Sequence, residues 1–117
     1  MNVYDQAHVL AAVLKRCEEY QKYKKTREEA FKLEQNVKLI QNFKKKQFQA
    51  QAALLSGEKI DDKTMEELKN MGNVMQFNRE VSEFMAAEYQ MNQMMSDVFK
   101  ILGEAVDLNL DFMNEQE

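Results

Sequence analysis

Residues 79–108 read REVSEFMAAEYQMNQMMSDVFKILGEAVDL, thirty residues with no proline and a single glycine, Gly103. Apolar side chains recur at steps of three and four: Val81, Phe84, Met85, Met91, Met95, Val98, Ile101 or Leu102, and Ala105. That period places them along one face of an α-helix. Asn78 stands where a helix N-cap belongs, its side-chain oxygen suited to a free backbone N–H of the first turn. Thirty helical residues span roughly 45 Å at about 1.5 Å per residue. A compact sphere of this chain length is only about 35 Å across. The helix therefore overhangs its own molecule or is sheltered by a second copy.

The rest of the chain obeys the same rule. There is no proline among 117 residues, and Gly57, Gly72 and Gly103 are the only glycines. Proline and glycine are the main interrupters of helices, so the fold class is all-α. A first helix over 3–17 sets Val3, Ala7, Leu10, Leu14 and Cys17 toward a core. A charged helix over about 18–34 follows, with a bend near Glu18–Glu19 and apolar contact only from Tyr20, Tyr23, Ala30, Phe31 and Leu33. A third helix, about 36–55, carries Ile40, Phe43, Gln47, Ala50 and Leu54 on one face. The clear break is Ser56-Gly57-Glu58-Lys59, where Gly57 suits a left-handed C-cap. Asp61 and Asp62 are candidate N-caps for a fourth helix, about 62–76, and Thr64 to Glu67 has capping-box spacing. That helix presents Met65, Leu68, Met71, Gly72 and Met75. The expected architecture is an elongated antiparallel bundle, one domain over residues 1–117, built around helices 36–55 and 79–108 with shorter N-terminal helices beside them. Such a chain is expected to bury roughly two-thirds of its unfolded surface. The polar, acidic tail from Asn109 is expected to fray.

Composition narrows the function class by exclusion. Hydrophobic residues make up 44% and charged residues 31%, the balance of a water-soluble protein. No apolar run approaches the roughly 20 residues of a membrane span, and Cys17 has no partner for a disulfide within the chain. A cytoplasmic location without membrane insertion is expected. His8, the only histidine, has no metal-ligand spacing around it, and Cys17 reads as a small hydrophobe. No nucleophile, base and orienting group can be assembled, so no catalytic residue, metal or cofactor is expected.

Two compositional biases remain. Nine methionines, with Met91, Met94 and Met95 close together, suit an adaptable packing surface. The expected self-association surface is Phe84, Met91, Met94, Met95 and Val98. Charge is also uneven. Residues 1–56 carry 11 Lys/Arg against 6 Asp/Glu, a balance of +5, and residues 57–117 carry 5 against 14, a balance of −9. Either the basic half packs along the acidic half, or it also offers a surface to an acidic partner or RNA. Lys44, Lys45 and Lys46 are the candidate contacts for the second reading, although consecutive lysines fan around a helix rather than forming one clamp. Overall acidity argues against unaided RNA binding.

Three segments in order resemble a known family. Asn2-Val3-Tyr4-Asp5-Gln6-Ala7 leads into a helix ending Glu18-Glu19-Tyr20. The central helix ends Leu55-Ser56-Gly57-Glu58-Lys59-Ile60, and the last carries Phe84-Met85-Ala86-Ala87-Glu88-Tyr89-Gln90-Met91. Over residues 2–108 the chain resembles the YlbF/YmcA (Com_YlbF) family of small bacterial helical proteins, its short YheA-like members above all. The resemblance implies an elongated helical bundle that commonly dimerises, in the cytoplasm of a Gram-positive lineage, without enzymatic activity. It implies a regulator or adaptor working through protein–protein contact, as relatives do in competence, sporulation and biofilm formation. Those relatives act in a complex linked to RNA processing by a membrane-anchored ribonuclease, which makes an RNA-processing accessory factor the alternative. Members of that complex have been associated with cysteine-bound iron–sulfur clusters. This chain has Cys17 alone, so a cluster is not carried over.

Overall fold

The computed structural model describes residues 2–108, so the tail from Asn109 lies outside the described residues. Five helices follow one another: α1 (Val3–Arg16), α2 (Glu18–Ala30), α3 (Glu34–Leu55), α4 (Asp62–Gln76) and α5 (Arg79–Ala105). Their ends obey local chemistry. Asn2, Asp61 and Asn78 cap α1, α4 and α5, each accepting a backbone N–H from Tyr4, Thr64 and Val81 respectively. The Thr64 hydroxyl and amide hold the Asp61 carboxyl below its ordinary pKa. The cap is thus Asp61 with Thr64; Glu67, which has capping-box spacing from Thr64, instead pairs with Lys46.

Helix α3 ends as its glycine dictates. Gly57 adopts φ +83°, its N–H reaches the Leu54 carbonyl, and Glu58 N–H reaches the Ala53 carbonyl, the paired bonds of a Schellman motif. Helix α5 stops by the same device three residues earlier than its apolar pattern suggests. Asp107 takes the left-handed position at φ 53°, and Leu108 N–H bonds the Gly103 carbonyl. Aspartate is among the few residues other than glycine that tolerate this conformation. The α1–α2 break falls at Cys17, one residue ahead of the expected bend. Cys17 is extended, and its sulfur accepts the Tyr20 N–H at 3.4 Å.

Antiparallel packing occurs in two pairs. Helix α2 lies along α5, with Tyr23 on Phe84 and Cys17 Sγ 3.8 Å from Met94 Sδ. Helix α4 folds back along α3, with Lys46 on Glu67 and Phe43 beside Gly72. The two long helices lie in different pairs. They start side by side and run in the same direction, as Asn36 with Asn78 and Lys44 with Glu88 record.

The pairs join at two short links, 31–33 and 77–78, and the core sits there. Ala30, Ile40, Met75, Val81 and Phe84 are buried, with Tyr23, Phe31, Leu39, Phe43 and Met85 packed on them. Phe84 is its largest fully buried side chain. Its ring meets Phe31 edge-on at 5.3 Å and Tyr23 at 5.8 Å between centroids, within the range of attractive aromatic pairs. Asn36, also buried, accepts a 2.8 Å hydrogen bond from Asn78 Nδ2, which ties the start of α3 to the cap of α5.

This core is small. Cα positions extend 54 × 38 × 16 Å with a radius of gyration of 17.5 Å, against about 13 Å for a compact chain of this length. The accessible surface is 9495 Å², where a compact monomer of this mass exposes about 6,600 Å². Folding hides only about half of the unfolded surface rather than the expected two-thirds. The difference lies in flatness: the slab is about two helices thick. Helix α1 departs furthest from expectation, because it buries no residue at all.

Truncating Phe84 to alanine is expected to destabilise the chain by about 3–5 kcal/mol, as for other buried phenylalanines, measured by chemical denaturation. Asn78→Ala should cost about 1–3 kcal/mol through the lost cap and the orphaned Asn36. Asn78→Ser keeps a capping oxygen and should recover part of that loss.

Candidate protein-interaction surface

The slab leaves two apolar regions uncovered. The first is an open groove of about 780 Å³ along α3 and α4, lined by Phe43, Gln47, Met65, Leu68 and Gly72. The step of three and four that places Met65, Leu68 and Gly72 on one face of α4 also aims them at α3. Gly72 leaves the floor open, since a Cβ there would meet nothing within 4 Å. Glu66 and Lys69 stand at the rim. Further along the same pair, Phe48, Leu54 and Leu55 are 61–72% exposed. An apolar channel between two helices with a charged edge fits an amphipathic helix.

The second region is the far end of α2 and α5. Val3, Tyr4, Val9 and Val13 of α1 are exposed there, as are Phe99, Ile101 and Leu102 of α5 and Val106 just past its end. A more polar depression of about 620 Å³ lies beside it, between Glu18, Glu19 and Lys22 of α2 and Tyr89, Gln93, Met94 and Val98 of α5.

The residues singled out from sequence distribute unevenly over these surfaces. Phe84 is 1% exposed and occupied by Tyr23 and Phe31, so it belongs to the core and is withdrawn as a self-association residue. Met91, Met94, Met95 and Val98 are half-buried on α5, and Met94 faces Cys17. The basic run is largely used within the chain. Lys44 Nζ donates to Glu88 at 2.5 Å and sits 5.5 Å from the centre of the Phe84 ring. Lys46 pairs with Glu67. These cross-links between the basic and acidic halves remove Lys44 and Lys46 from the expected contact with an acidic partner. Lys45 is exposed and makes no ion pair among the described residues.

Sequence reasoning overlooked Asn36 and Thr26, both buried. Thr26 bonds back to the Lys22 and Tyr23 carbonyls of its own helix. The spacing Tyr23, Thr26, Ala30 is a helical stripe, masked because its middle member is polar. Among the described residues, no group of three or more His, Cys, Asp or Glu is placed to hold a metal ion, and no helix is long and apolar enough to cross a membrane.

Known proteins share this arrangement. The profile of a family described as "Control of competence regulator ComK, YlbF/YmcA" matches residues 3–107. A UPF0342 protein of Clostridium tetani is 36% identical over 116 residues, which cover 99% of this chain and 100% of the relative. A UPF0342 protein of Symbiobacterium thermophilum is 34% identical, over 94% of this chain and 98% of its own. A solved structure, "Protein of Unknown Function (DUF964) from Bacillus stearothermophilus", superimposes with a TM-score of 0.72 at 20% identity, covering 90% of this chain and 92% of that one. The last likeness establishes the fold; with the profile match and the full-length relatives, it follows that the chain belongs to the YlbF/YmcA family.

Proposed function

We propose that this protein is a non-catalytic regulatory adaptor of the cytoplasm, which binds an amphipathic helix of a protein partner in the α3–α4 groove. The observation that carries the reading is the groove itself: a largely apolar channel, lined by Phe43, Met65 and Leu68, left open in a chain of few buried side chains. Met65 gives that lining one flexible, adaptable side chain, and the charged rim at Glu66 and Lys69 orients what enters. The family's description, control of a competence regulator, supports a developmental or competence pathway as the setting. An RNA-processing accessory role draws less support, because Lys44 and Lys46 are already paired with carboxylates.

The test is affinity capture from lysate of the source cells, with and without nuclease, using the wild type beside Met65→Glu. Met65 is 51% exposed, so its replacement leaves the core intact while putting a carboxylate in the groove. The expected result is a protein partner that survives nuclease and is lost with Met65→Glu, while the helical circular dichroism is unchanged. Partners that all disappear after nuclease would overturn the reading in favour of RNA. In that case, Lys45→Ala should weaken binding and flatten its dependence on salt.

A further inference from the structure

The middle of α2 holds cations that the chain does not neutralise. Lys22, Lys24, Lys25 and Arg27 fall within six residues, and among the described residues none of them pairs with a carboxylate. Lys24 and Lys25 each have a glutamate four positions on, Glu28 and Glu29, but in the weaker order. On a helix, a glutamate that precedes its lysine makes the better pair. The cations that pair across helices, Lys44 and Lys46, stand on α3. The basic half thus keeps free charge on α2 as well as at Lys45.

Two of these cations stand among aromatic rings. Tyr20, Lys24, Arg27 and Phe31 follow steps of four, three and four, which sets them on one face of the helix and its C-cap. A depression of about 350 Å³ opens on that face, lined by Tyr20, Tyr23, Lys24, Arg27 and Glu28. Arg27 is held in place there. Its Cζ lies 4.6 Å from the centre of the Phe31 ring, and Phe31 in turn meets Phe84 edge-on in the core. Stacking occupies one face of the guanidinium plane and leaves its N–H edge free, the edge that takes a carboxylate bidentately. An exposed arginine fixed in this way gives up less side-chain freedom when it binds.

We propose that this face of α2 binds an acidic segment of a partner protein, with one carboxylate on the free edge of Arg27, a second on Lys24, and apolar side chains against Tyr20 and Tyr23. The spacing suits such a ligand. Lys24 and Arg27 are about 4.5 Å apart along the helix axis, close to the pitch of about 5.4 Å that separates carboxylates one turn apart on a partner helix. The surroundings favour a polypeptide over a nucleic acid. Glu28 borders the depression, and Glu18 and Glu19 begin the same helix, so a phosphate strand laid along α2 would meet carboxylates at both ends. Nucleic-acid affinity grows with the number of phosphates neutralised, and this run of cations is short. The face belongs to the α2–α5 pair and the groove to α3–α4, so either contact can fail without the other.

Fluorescence anisotropy of the full chain at low salt tests the assignment, with a labelled helical peptide of glutamate, alanine and leucine beside labelled oligouridylate. The wild type should bind the peptide in preference to the oligonucleotide, and less tightly as salt screens the exposed charges. Arg27→Ala and Lys24→Ala should each weaken that binding by about tenfold, the equivalent of one charge-assisted hydrogen bond. Arg27→Lys should recover only part of the loss, because it keeps the charge and loses the fork. Both positions are exposed, so helical circular dichroism should be retained. Met65→Glu should leave peptide binding unchanged. No binding of the peptide overturns the assignment, as do alanine variants that bind like the wild type or tighter binding of the oligonucleotide. Loss of binding with Met65→Glu would put the peptide in the α3–α4 groove and overturn it as well.

Discussion

The Phe84 ring is the point on which this structure turns. Two antiparallel helix pairs meet there through links of three and two residues, and the ring is shared between them. Tyr23 comes from the middle of α2, Phe31 from the C-cap just past its end, and Lys44 comes across from α3. The Asn36–Asn78 hydrogen bond fixes the same junction in polar terms, since one amide both caps α5 and holds the start of α3. Among the described residues, the cluster of buried apolar side chains lies at this junction. The relative placement of the two pairs therefore depends on a cluster of about ten side chains.

From that constraint follows the character of the surface. Helices stabilised at one junction need not be covered elsewhere, and the sequence keeps them apolar where they are uncovered. The groove of α3 and α4 and the far end of α1 and α5 are consequences of a flat architecture. The internal pairing of the basic and acidic halves belongs to the same economy of contact. Lys44 on Glu88 and Lys46 on Glu67 link separate helices. Partly exposed pairs of this kind add little stability, about 0–1 kcal/mol, but they fix which helix lies beside which.

Much of the fold was legible because helix caps are local. Asn78, Asp61 and Gly57 could be read from their own neighbours and perform those roles in the structure. The end of α2 was harder. Ala30-Phe31-Lys32-Leu33 contains neither glycine nor proline, and the chain turns there so that Phe31 can reach Phe84, a contact 53 positions away in sequence. Burial was the least legible property. Periodicity shows that Val3, Ala7, Leu10 and Leu14 share a face, but not whether anything in the same chain covers it. Phe84 failed as an interface residue for the converse reason: a stripe that points inward and one that points to a second molecule have the same spacing.

The slab's thinness also bears on how the isolated chain responds to solvent. The steepness of denaturant unfolding and the heat capacity change both scale with the surface newly exposed. A molecule that already displays 9495 Å² has comparatively little left to expose. Its single-chain stability curve is correspondingly shallow against both denaturant and temperature. Sharp, cooperative unfolding then becomes a property of whatever covers those helices, and grows with the concentration of that cover.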